Sequence, residues 1–190
     1  MMTPSLPSAR GTGAAHHPLD PLTASEIRQA VQILRRDRGA GERWRFAGIE
    51  LAEPGKPGLL AWQPGDAVTR HARVTCWNTE DGRTYTATVS LTGDRVTVFE
   101  HRPGVQPNAT VSEWHAADAM LRRDPGIVAA LADRGITDLD RVMFDTWTYG
   151  YALIPEQYRS RRVGWVDVWY RAAPGANPYA HPRERPAPGR

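Results

Sequence analysis

Residues 70–101 read RHARVTCWNTEDGRTYTATVSLTGDRVTVFEH, three alternating runs separated by two turns. Arg70 to Trp77 places Ala72, Val74 and Cys76 on one face, and Arg83 to Leu91 alternates through Tyr85, Ala87, Val89 and Leu91. Arg95 to His101 carries Val96, Val98 and Phe99. Asn78 to Gly82 and Gly93-Asp94 are rich in turn formers. Such short connections between alternating runs predict consecutive antiparallel strands.

On the N-terminal side, Trp44 to Leu51 is a further extended run in which Ile49 and Leu51 mark a change of face or a bulge. Pro54, Gly55, Pro57 and Gly58 break the chain, and the apolar piece Leu59 to Trp62 is expected to belong to the same ribbon. Before these lies Thr23-Ala24-Ser25-Glu26, in which Thr23 and Glu26 can cap each other's backbone N–H groups, with Leu22 and Ile27 placed to form a hydrophobic staple. Ile27, Ala30, Val31 and Leu34 recur at helical spacing up to Gly39, predicting a helix over 24–37. One helix on a meander is an α+β module.

After the Pro/Gly-rich link 102–107 the pattern restarts. Thr110-Val111-Ser112-Glu113 is a second capping box, and Trp114, Ala117 and Leu121 keep helical spacing. Asp124-Pro125 opens another helix, which Gly135 ends. Arg141 to Tyr151 and Arg162 to Arg171 read as strands. The expected organisation is a disordered arm over 1–15, a module over 16–102, a shorter module over 103–182 and a disordered tail over 183–190.

The chain has 190 residues, 41% hydrophobic and 24% charged, which suits one or two small folded domains. No apolar run approaches the roughly 20 residues that span a bilayer, and residues 1–15 have no apolar core of a secretory signal. A cytoplasmic location with no membrane partner is expected. Cys76 is the one cysteine, so a cysteine-based zinc site and an internal disulfide are excluded, and a buried thiol is expected. The formal charge is +3, and of 24 basic residues all but Lys56 are arginine. They are scattered among acids, with Arg159, Arg161 and Arg162 the densest group, and no nucleic-acid partner is expected.

No catalytic constellation stands out. His16, His17, His71, His101, His115 and His181 include no His-x-His and no His-x-x-x-His. Asp138 and Asp140 sit where turn and cap residues belong. No phosphate loop, dinucleotide fingerprint or nucleophile elbow occurs. Catalytic, cofactor-binding and metal-ligating residues are therefore expected to be none. The aromatics are more informative: Trp165 and Trp169 share strand parity with Asp167 between them, an amphipathic face of the kind that marks interfaces.

His17-Pro18-Leu19-Asp20-Pro21-Leu22-Thr23-x-x-Glu26-Ile27 resembles the opening of the second N-terminal domain of copper-containing amine oxidases. Asp124-Pro125, Leu131-x-x-Arg134-Gly135-Ile136 and Val142-x-x-Asp145-x-Trp147-x-x-Gly150 resemble that family's third N-terminal domain, and the run from Arg162 to Pro182 resembles the family's next stretch. The resemblance implies two small cystatin-like α+β modules, the second truncated. It implies a family reaction, oxidative deamination of primary amines to aldehyde, ammonia and hydrogen peroxide, that uses copper and topaquinone. In the family the quinone precursor sits beside an asparagine, and a His-x-His pair helps to hold copper. This sequence has no Asn-Tyr pair and no His-x-His. The expected function is thus a non-catalytic N-terminal portion with a packing role beside a catalytic domain, inactive alone, binding neither copper nor quinone. Self-association through the 162–171 edge is also expected. A free-standing interaction module that uses the Trp165/Trp169 face is the alternative.

Overall fold

A computed structural model of the chain describes residues 17–159, 161–173 and 175–180. The arm expected over 1–15 and the tail expected over 183–190 lie outside the described residues, as do His16 and His181. The chain divides into two compact units, residues 17–80 with 84–102, and residues 81–83 with those from 103 onward.

In the first unit Thr23 caps helix α1, Ala24–Arg38, and the capping box is complete. The Glu26 amide donates to Thr23 Oγ1 at 3.2 Å, and the Thr23 amide donates to Glu26 Oε2 at 2.8 Å. Arg35, Arg36 and Arg38 occupy the last turn, where cations suit the helix dipole. Gly39 then takes φ +62°, the left-handed conformation that ends a helix at least strain in glycine.

Four strands come next: β1 Trp44–Leu51, β2 His71–Asn78, β3 Thr84–Ser90 and β4 Arg95–His101, paired antiparallel in chain order. The α+β class expected from the alternation is the class observed. α1 packs on this sheet through Ala30, Ile33 and Leu34, which meet Ala72, Val74, Cys76, Ala87 and Val89 in a closed core. Each fully buried Ile, Leu or Val side chain of this core is worth about 1.5–3 kcal/mol.

Two bulges set the sidedness of the outer strands. In β1 the pairing jumps from Phe46↔Cys76 to Gly48↔Thr75 and leaves Ala47 unmatched, so Trp44 and Phe46 face the core before the bulge and Ile49 after it. In β4 the pairing jumps from Thr88↔Val98 to Val89↔Val96. Val96 and Phe99 therefore turn inward, while Val98 is left exposed.

The structure corrects the reading of Leu59–Trp62 as part of the ribbon. Lys56–Ala61 is a short helix, α2, with Gly55 at its N-cap and Pro57 in its first turn, where a missing N–H costs nothing.

The second unit holds α3 Val111–Leu121, α4 Pro125–Ala132 and the antiparallel pair β5 Val142–Thr148 and β6 Gly164–Tyr170. The second capping box is complete at Thr110 and Glu113, and Asp124 caps α4. β5 ends earlier than expected, and Tyr151–Leu153 is a turn of 3-10 helix. Leu131, Ile136, Val142 and Phe144 form the core, with Val166 and Tyr170 packed on it. Gly164 pairs with Thr148, and a Cβ at Gly164 would come within 2.9 Å of the Trp147 carbonyl oxygen, so only glycine fits there without displacement.

Candidate functional site

In the first unit the most elaborate polar cluster surrounds Arg70, 6% exposed at the entry to β2. Its Nε–H donates to Glu26 Oε1 at 2.8 Å, and an Nη2–H donates to Glu26 Oε2 at 3.2 Å. The remaining N–H groups reach the carbonyl oxygens of Asp20 at 2.8 Å and Pro21 at 3.2 Å. Glu26 therefore serves both its helix cap and this guanidinium. The Arg70 hydrogen bond, with help from Thr23, outweighs burial and holds the carboxyl below the usual glutamate range. The cluster fastens residues 18–26 to the sheet, a structural task. Nothing in the sequence marked it, because an arginine before a strand has the pattern of a solvated residue.

Cys76 is fully buried in the core, and burial pushes its thiol up to about 12. It carries no nucleophilic chemistry in the folded chain. His17 packs its ring edge-on against Trp62 at 4.8 Å and accepts from the Leu19 amide at 3.1 Å. His71 opens β2, His101 ends β4 and His115 lies in α3 beside Trp114. Asp138 accepts from the Asp140 amide at 3.1 Å, as a cap residue does.

In the second unit, Arg162 of the basic group meets Glu113 and the Asn108 carbonyl oxygen, which ties β6's approach to the α3 cap. Burial works against the Glu113 carboxylate, yet the bonds from Arg162 and Thr110 keep it below its ordinary value. Gln106 joins the strand ends. Its amide donates to the carbonyl oxygens of Tyr149 and Val163, and its Oε1 accepts from the Val163 amide at 3.1 Å.

The outer face of the β5–β6 ribbon is built from three cross-strand pairs, Met143↔Trp169, Asp145↔Asp167 and Trp147↔Trp165. The Trp165/Trp169 face expected from parity is thus divided. Trp169 sits under Tyr179, with ring centroids 5.1 Å apart, and the Tyr179 hydroxyl donates to Asp145 Oδ2 at 3.3 Å. Burial first, and then the Asp145 charge, push the Tyr179 hydroxyl above its ordinary pKa. Trp165 instead stacks with Trp147 across the ribbon, centroids 6.4 Å apart, the two rings 43% and 52% exposed. Sequence parity found Trp165 and Asp167 and missed their partners on β5.

A helix on a bulged four-stranded meander, opened by a capping box, defines the class. Residues 23–98 match the model of the AGAO-like N2 domain. The chain is 38% identical over 169 residues to the primary amine oxidase of Arthrobacter sp. (strain P1), covering 88% of this chain and 25% of that protein. It is 31% identical over 172 residues to copper amine oxidase 1 of Schizosaccharomyces pombe, covering 87% and 24%. With the histamine oxidase of Arthrobacter globiformis it shares 34% identity over 138 residues, covering 70% and 20%. The chain belongs to the copper amine oxidase family and corresponds to its N-terminal region. It spans about a quarter of the length of these relatives.

Among the described residues no three His, Cys, Asp or Glu side chains come together as a metal site would require. No helix among them is long and apolar enough to cross a membrane.

Proposed function

We propose that this chain is the non-catalytic N-terminal portion of a copper amine oxidase and acts by packing beside the catalytic domain. Residues 16–102 are then the second N-terminal domain and 103–182 an incomplete third, both cystatin-like. The observation that carries this reading is the similarity to the Arthrobacter sp. primary amine oxidase, which runs through 88% of this chain and occupies 25% of that protein. In this reading the family chemistry belongs to the catalytic domain, which brings the copper and topaquinone, and this chain holds neither. A cytoplasmic location and self-association through the β6 edge belong to the same reading.

Co-expression tests it. The partner is the Arthrobacter primary amine oxidase from which the matched region has been removed. The two polypeptides are expected to co-purify. Failure to associate under any co-expression condition overturns the reading. The exposed Trp147/Trp165 pair favours a second reading, a free-standing interaction module, which would instead hold a protein outside this family.

A further inference from the structure

We infer that the outer face of the β5–β6 ribbon docks an arginine side chain presented by the catalytic portion of an amine oxidase. This rests on the function proposed for the chain and names the surface and the chemistry of that packing.

Asp145 lies directly opposite Asp167 on the ribbon. Like charges in that position repel each other and weaken a strand pair. Elsewhere among the described residues several half-buried acids have cationic partners. Glu26 has Arg70, Asp118 has Arg122 and Glu113 has Arg162. The Asp145/Asp167 pair is an exception. Among the described residues neither carboxylate makes an ion pair, and Asp145, 9% exposed, meets only the Tyr179 hydroxyl. One cation placed between them would turn the repulsion into two attractions.

The aromatic surroundings select the kind of cation. Trp147 and Trp165 stand next to the acidic pair in the register, stacked at 21° and each about half exposed, while Trp169 and Tyr179 close the other end. A guanidinium is planar, stacks on indole faces and forks its N–H groups to carboxylates. Among the described residues the ribbon has two strands, so with the β6 edge given to self-association the outer edge of β5 is where an extended segment carrying that arginine can lie. A protein segment therefore fits this face better than a free small cation.

The whole chain, labelled with 15N, is titrated with the peptide acetyl-Gly-Arg-Gly-Arg-Gly-amide and with its citrulline counterpart. The expected result is a saturable shift of the Trp147 and Trp165 indole N–H signals by the arginine peptide alone. Asp167→Asn is expected to weaken binding at least tenfold with a melting temperature no lower than that of the wild type, since it also removes the repulsion between the two carboxylates. Should Asp145→Asn fail to fold because that residue is buried, Asp167→Asn and Trp165→Ala carry the test. Equal shifts by the citrulline peptide, shifts at other tryptophans, or undiminished binding by Asp167→Asn overturn the inference. So does displacement of the arginine peptide from Trp147 and Trp165 as the concentration of the chain is raised, which gives the face to a second copy of the chain.

Co-expression separates the two readings. If the wild-type chain co-purifies and Asp167→Asn does so equally well, the docking face is wrong and the amine-oxidase reading stands. If the arginine peptide binds but no complex forms, the face holds an arginine from another source, which overturns the assignment to the catalytic portion together with the reading of the chain.

Discussion

The Arg70 guanidinium faces the Glu26 carboxylate edge to edge, with Nε 2.8 Å from Oε1 and Nη2 3.2 Å from Oε2. The pair joins the first turn of α1 to the start of β2, 44 residues away along the chain. Its side chains are 7% and 17% exposed, so water does little to replace either partner.

Arg70→Met is therefore expected to destabilise the first unit by about 3 kcal/mol, because it leaves a mostly buried carboxylate and several carbonyl oxygens unpaired. The double variant Arg70→Met/Glu26→Gln should recover part of that loss. Urea unfolding of both variants against wild type measures it, and a loss below about 1 kcal/mol would show the pair to be ornamental.

The same pair sets a pH dependence. Folding lowers the Glu26 pKa, so its contribution is fully present above the unfolded glutamate value and is lost as pH falls through the lower folded value. The urea midpoint of the wild type should drop between pH 5 and pH 3 more steeply than that of Glu26→Gln. Parallel profiles would contradict the assignment.

Cys76 should resist a thiol reagent such as dithionitrobenzoate in the native chain and react fully in denaturant, given its burial and a thiol pushed up to about 12. Fast native labelling would mean that the sheet opens locally around β2.

Gln106→Ala should loosen the ends of β5 and β6, at a cost of about 1–3 kcal/mol, since it deprives the Val163 amide and the Tyr149 carbonyl oxygen of partners, while the Val163 carbonyl oxygen keeps the Tyr149 amide. Hydrogen exchange is the direct readout. β6 amides should exchange faster than those of β2 and β3, which are paired on both sides, and faster still in the variant.

The isolated chain is expected to bind no copper stoichiometrically and to release no peroxide from primary amines. It lacks both an Asn-Tyr pair and a His-x-His. Copper titration and a peroxide assay with several amines check this, and one equivalent of tightly held copper would refute it.

Much of the fold was legible because local signals agreed with the tertiary result. Both capping boxes, the Ala72/Val74/Cys76 face and the Asp124 cap are encoded within a few residues of themselves. α2 was not, because a four-residue apolar run such as Leu59 to Trp62 has too little length for its periodicity to separate strand from helix. The ribbon face was half legible. Parity along β6 placed Trp165 and Asp167 together, but their neighbours Trp147 and Asp145 depend on the register across the 149–163 connection, which sequence pattern does not fix. Arg70 was invisible for a related reason: its partners lie 44 and more residues upstream.

The unmatched Ala47 concerns solubility more than folding. Without Ala47, Trp44, Phe46, Ile49 and Leu51 would alternate regularly and all still point to the core side of β1. The core does not need that residue, yet the kink it imposes lies on an outermost strand of the sheet. A straightened outer strand is a template for neighbouring molecules in a crowded solution. Chains that have lost Ala47 should melt much as the wild type does and precipitate sooner, so that a one-residue change in length would be read in the cell as aggregation with little loss of fold.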